Sequence, residues 1–258
     1  MRSTGNIACL ATRVAAAFAP ASPAVTRVAA AIALGSAAAV LAFAPGAAAH
    51  PASGKRAAHA KTGGASGERN LEASIVLKLT PPEESLPITD QINLFVPERF
   101  RDAGASLPHC TPAALERKGA AGCPKDSIVG TGRATGYTIL GGQFVIEHLA
   151  VTLFNGPTAN LLSWVEGRTP VAIEQIVEGV ITKPAGFGEE MSFTIPHGLL
   201  EPLPGAPGWL QTLEAHLSGT AGWLRTSSCP EHPWSLKAEL DYQSGQGTSI
   251  ETRLQCVS

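Results

Sequence analysis

The stretch CTPAALERKGAAGCPKDSIVGTG, residues 110–132, decides the fold. Cys110 and Cys123 bracket a segment that carries the signals for both ends of a short helix. Thr111 supplies a capping hydroxyl and Pro112 a fixed φ at the first helical position. Ala113–Lys118 gives about two turns, and Gly119 ends them. After Cys123, Pro124 stiffens the exit, Ser127 can bond local backbone, and Val129-Gly130-Thr131-Gly132 opens a strand. Gly130 and Gly132 lie two apart, hence on one strand face, where another backbone or a bulky ring can approach. The segment reads as scaffold: a disulfide staple, a capped helical turn and the start of a strand.

Working outward, short β-like runs alternate with turn residues. Upstream, Leu71–Thr80 is dense in β-branched and apolar residues and stops at Pro81-Pro82. Ile92–Val96 is a second run, closed by Pro97. Downstream, Ser127–Leu140 turns at Gly141-Gly142 into Gln143–Phe154, and Asn155-Gly156 is a strong turn signal. Asn160–Glu166 follows, then Val171–Thr182 and Glu189–Ile195 across Lys183-Pro184-Ala185-Gly186. His197–Gly208 is a Pro/Gly-rich loop, Leu210–Leu217 a further strand, and Leu236–Tyr242 with Ser249–Cys256 a closing hairpin. Helical period is almost absent. The pattern predicts an all-β fold, a β-sandwich or jelly-roll-like single domain over 71–258 with one short disulfide-stapled helix.

Composition sets the compartment. Charged residues are 16% of the 258 and the net charge is −2, which offers no electrostatic case for nucleic acid. Arg2, Arg13 and Arg27 are the only charges before His50. The apolar, Ala-rich run Val28–Ala44 ends at Pro45-Gly46, and Ala47-Ala48-Ala49 offers the small residues of a signal-peptidase site. Residues 1–49 read as an export signal cut after Ala49, with an uncleaved anchor at Val28–Ala44 as the alternative. Residues 50–70 read as a flexible linker of small and basic residues. A secreted or cell-envelope location follows. Of five cysteines, Cys9 falls in the leader, leaving Cys110, Cys123, Cys229 and Cys256. An even count in an exported chain points to disulfides. Three pairings are possible, and the local one, Cys110–Cys123 with Cys229–Cys256, is expected.

The run Cys123-Pro124-Lys125-Asp126-Ser127-Ile128-Val129-Gly130-Thr131-Gly132 spells C-P-x-x-S-x-V-G-x-G. Together with LPHC at 107–110, VTLFNG at 151–156, and SCP at 228–230 followed by Trp234, it resembles a group of uncharacterised exported proteins of high-GC bacteria. These short motifs span most of Leu71–Ser258. The resemblance implies export and a β-rich domain. No activity is established for that group, so it carries over no catalytic residue.

The chemistry-bearing residues give few leads. Gly130-Thr-Gly132-Arg-Ala-Thr-Gly136 is GxGxxxG followed by a β-like stretch, so the helix N-terminus that a phosphate needs is missing. No C-x2-C pair suggests zinc, and no metal or cofactor is expected. No G-x-S-x-G occurs, and nothing in the spacing selects a triad from His109, His148, His197, His216 and His232 with Asp90, Asp102, Asp126 and Asp241. Glu147, Glu174, Glu178, Glu189 and Glu190 are candidates for a paired-carboxylate hydrolase of carbohydrate or cell wall. Trp209, Trp223 and Trp234 are candidates for an aromatic binding surface, though a plug of the core beside Cys229–Cys256 is the favoured reading, and Trp164 is the remaining tryptophan. The reading is an exported, non-enzymatic binding or structural module whose partner is a cell-envelope glycan or protein, with the hydrolase as the alternative.

Overall fold

Strands β1 (Ile7–Ala11), β2 (Arg69–Lys78), β3 (Thr89–Val96) and β4 (Phe100–Asp102) precede the stapled helix α1 (Pro112–Lys118). There follow β5 (Ile128–Leu140), β6 (Gln143–Asn155), β7 (Asn160–Gly167), β8 (Ile173–Thr182) and β9 (Glu189–Thr194). A single helical turn, α2 (His197–Leu200), lies inside the segment expected to be loop, before β10 (Gly208–Leu217), β11 (Leu224–Thr226), β12 (Trp234–Tyr242) and β13 (Gly247–Val257). The computed structural model describes residues 7–11, 69–79, 88–158, 160–218, 221–226 and 234–257. The expected all-β fold with one short stapled helix is what the chain adopts. The rest of the expected leader and most of the linker lie outside the described residues, as does the anchor alternative Val28–Ala44. No helix among the described residues is long and apolar enough to cross a membrane.

The strands hydrogen-bond in the order β1-β13-β12-β3-β9-β8-β7-β6-β5-β10-β2-β11-β4, and β1 also runs parallel to β2. One continuous sheet therefore curls on itself, and its two halves face each other across a shared core. Period-2 alternation feeds that core from every side. Ala73, Ile75 and Leu77 point inward from β2, Ile92, Leu94 and Val96 from β3, and Leu236, Ala238 and Leu240 from β12.

The staple covers the outside of this sheet. Thr111 Oγ1 accepts from the Ala114 N–H at 3.3 Å, Pro112 stands in the first turn, and Gly119 ends α1 with φ 57°. The Cys110–Cys123 bridge spans a Cα–Cα distance of 5.1 Å. Leu115 of α1 joins Cys110, Phe154, Leu162 and Trp164 in a second apolar cluster. Strand β7 is thus buried on both faces. Leu161 and Val165 face the main core, while Leu162 and Trp164 face the stapled helix. That double burial is why its sequence is nearly continuously apolar. The second expected bridge lies outside the described residues, because Cys229 and the side chain of Cys256 are not among them. In the backbone register Cys256 stands opposite Cys9.

The two glycines of the motif sit where β10 passes close to β5. A β-carbon on Gly130 would collide with the His216 carbonyl oxygen, and one on Gly132 with that of Glu214. The close approach expected from their spacing is made by backbone.

Antiparallel order gives the curled sheet two ends. The connections after β5, β7 and β9 lie at one of them, the α2 end. Those after β6, β8 and β10 lie at the other, the staple end, with the 103–110 loop.

Candidate functional site: an apolar interior cavity

Eight strands, β2, β3 and β5 to β10, wall a cavity of about 160 Å³ inside the curl. Its surface is mostly aliphatic, with Leu77, Leu94, Leu149, Val177, Met191 and Leu213 typical of the wall. Leu199, Leu200 and Pro202, from the β9–β10 connection that carries α2, complete it. An engineered void of about 150 Å³ in an apolar core stays dry and takes up benzene, so a space of this size suits a small apolar molecule.

Polar atoms in this region are few. Four buried side-chain oxygens among the described residues have no hydrogen-bond partner: Thr89 Oγ1, Thr138 Oγ1, Glu147 Oε1 and the Tyr242 hydroxyl. All four belong to the α2 end. Thr89 starts β3 and pairs with Tyr242, Thr138 lies near the end of β5, and Glu147 is opposite Gly136 across the β5–β6 hairpin. Thr89 and Glu147 line the cavity. The second Glu147 oxygen accepts from the Val171 N–H at 3.5 Å, the limit of a hydrogen bond. Burial pushes the Glu147 carboxyl above its ordinary range, and the Val171 amide and His148 only partly oppose this.

The carboxylates expected as a hydrolytic pair are scattered. Glu174 and Glu178 are exposed on the outer face of β8. Glu189 begins β9 at the staple end, so the length of the sheet separates it from Glu147. Both Glu189 oxygens accept from the Asp102 N–H at 2.9 Å, which pins β4 to the sheet flank. Glu190 accepts from Thr182 and Ser192 at the surface. Of the histidines, His109 and His148 are exposed, and His197 pairs with Glu201 at 3.3 Å. Asp126, His216 and Ser218 share a shallow depression beside the C-P-x-x-S motif.

Desolvation raises the Glu189 carboxyl to about 7, the Asp102 amide opposes the shift, and the Asp102 carboxylate adds to it. A carboxyl that holds its proton more tightly when folded contributes stability in full below its unfolded pKa of 4.5, and loses it as pH rises through about 7. Glu147 acts in the same direction. The urea midpoint should therefore be lower at pH 8 than at pH 5, and Glu189→Gln should shrink that difference. An unchanged pH dependence in the variant would show that another group sets it.

The tryptophans divide. Trp223 is 1% exposed, and its indole N–H donates to Asn155 Oδ1 at 3.1 Å. It is a core residue, as the favoured reading expects, and presents no face to a ligand, so the candidate surface role does not hold there. Trp164 is buried under α1. The side chain of Trp234 lies outside the described residues. Trp209 is half-buried and borders the cavity, with its ring 5.9 Å from that of Phe144. Phe144 is 65% exposed and meets Tyr137 edge-on at 6.4 Å. Sequence reasoning singled out Trp209 but missed Phe144 and Tyr137, since placement on adjacent strands depends on the register. Comparison with family models, with curated proteins and with solved structures finds no match for this chain.

Proposed function

We propose that this chain is an exported, non-enzymatic binding module that carries a small apolar ligand inside its curled sheet. One observation carries the reading: a cavity of about 160 Å³ whose wall is built from inward-facing apolar side chains of eight strands. Ligand sites are concave and mostly apolar with few polar groups. Export is supported by the basic leader and the Ala-rich run that precede the domain. The test is to purify the secreted protein under mild conditions, extract it with organic solvent and identify what it releases. Titration with a small apolar fluorophore then measures the site directly. A protein that releases nothing and binds no apolar probe would sink the reading.

A second surface is favoured by the exposed Phe144 and Ile146, with the half-buried rings of Tyr137 and Trp209 against Phe144. Aromatic rings grouped on adjacent strands suit stacking on the sugar rings of a cell-envelope glycan. Phe144→Ala should reduce retention on purified cell-wall glycan several-fold and leave the fold unchanged. Equal retention would remove this surface from consideration.

A further inference from the structure

Glu147 breaks the pattern of the strand that carries it. On β6 the inward positions are Val145, Glu147, Leu149, Val151 and Leu153, and only one of them is polar. A carboxyl so placed is 3% exposed and borders a wall that is otherwise mostly apolar, with Thr89 and Ser163 as its small polar side chains. Its neighbour across the hairpin is Gly136, which has no side chain to cover it. One of its oxygens has a single long hydrogen bond to Val171, and the other has none. Buried polar groups are almost always satisfied, because leaving one unpaired in an apolar setting is costly. The unpaired Thr89 hydroxyl borders the same cavity. Apolar packing alone would place a leucine or valine at position 147, so the carboxyl is explained by something that enters the cavity.

The geometry points to Glu147 as the polar anchor of this cavity, and to a small apolar molecule of roughly benzene size bearing one hydroxyl group as its ligand. The inference rests on the reading of the cavity as a ligand site. Hydroxyl is the group that fits both states of the carboxyl. It can donate to Oε1 when Glu147 is ionised and accept from it when Glu147 is protonated. An ammonium group serves only the first state and a ketone or ether only the second. An anionic ligand would meet an acidic group.

The probes are p-cresol and p-xylene, which differ by a hydroxyl in place of a methyl. Both are titrated into the full-length secreted protein by calorimetry or ligand-observed NMR. Burial of a methyl alone favours p-xylene, so a preference for p-cresol demands a polar partner in the cavity. The wild type should bind p-cresol about tenfold more tightly or better. Glu147→Gln should keep the preference, since an amide can also donate and accept. Glu147→Leu should abolish it, and p-xylene should then bind at least as tightly as p-cresol. Glu147→Met provides a second apolar variant of similar length, should the leucine branch not fit. If the wild type binds neither probe, the anchor and the cavity reading both fall. If it binds both equally, or if Glu147→Leu keeps the preference, the anchor alone is overturned.

Discussion

Asn155→Ala should lower the unfolding free energy by about 2–4 kcal/mol. The side chain is 2% exposed at the end of β6. Its amide nitrogen donates to the carbonyls of Gly104 at 3.0 Å, Leu107 at 3.3 Å and Pro108 at 3.0 Å. Its oxygen accepts the Trp223 indole N–H at 3.1 Å. The backbone carbonyl of the same residue takes the Cys110 N–H at 2.8 Å. One residue thus ties the 103–110 loop, the staple and the largest fully buried side chain to the sheet. Alanine would leave the buried indole donor without a partner and take one from the Leu107 and Pro108 carbonyls, while the Gly104 carbonyl keeps only the Leu107 N–H. Each orphaned group costs about 1–3 kcal/mol, less what water recovers by filling the gap. Asn155→Asp discriminates the cause. Aspartate replaces asparagine readily in turns, so a turn role predicts little change. As a hub it fails, because it loses both donors and sets a carboxylate against three carbonyl oxygens. Urea unfolding of the two variants decides the matter: an Asn155→Asp protein within about 1 kcal/mol of wild type would overturn the hub.

Asn155 also shows where a sequence stops being legible. Asn-Gly reads as turn chemistry, and a turn does follow, with the Gly156 N–H bonded to the Asn160 carbonyl at 2.8 Å. The partners of the asparagine side chain, however, lie 47 to 68 residues away, beyond any local signal. Local physics was readable. The Thr111 cap, Pro112, the Gly119 stop and the bridge between Cys110 and Cys123 are where the short-range rules place them. The long strands follow from period-2 runs and their turns. Strands β4 and β11, three residues each, are too short to carry a period. Helix α2 is a single turn among prolines and glycines, and tertiary contact rather than propensity sets it. The cavity is the mismatch between the curvature of a whole sheet and the volumes of its inward side chains. No window of sequence holds that quantity. Yet the polar exception on its wall was visible. Val145, Leu149, Val151 and Leu153 define the inward face of β6, and Glu147 stands in phase with them.

Replacing both Cys110 and Cys123 by alanine should cost about 3 kcal/mol and leave the ligand preference of the cavity unchanged. The bridge closes a loop with a sequence separation of 13, for which the chain-entropy estimate is about 3 kcal/mol. In a domain of this size that lowers Tm by about 6–12 °C. Alanine suits the test better than serine, because Cys110 is 1% exposed and a hydroxyl there would be buried. The loss should be local in origin. Helix α1 has seven residues, too few to persist in isolation, and it is held by the bridge and by Leu115, which is 0% exposed. Without the bridge, amide hydrogen exchange should rise first across α1 and next on the outer face of β6 and β7, where Phe154, Leu162 and Trp164 lose their cover. The opposite face of the same strands lines the cavity through Val151, Leu153, Leu161 and Val165. Alternation therefore places the staple and the cavity on two sides of one sheet, with backbone hydrogen bonds between them that neither cysteine makes. If the double variant kept its stability but lost the preference for p-cresol, the bridge would be acting on the cavity rather than on the unfolded chain, and the stapled helix would belong to the binding site.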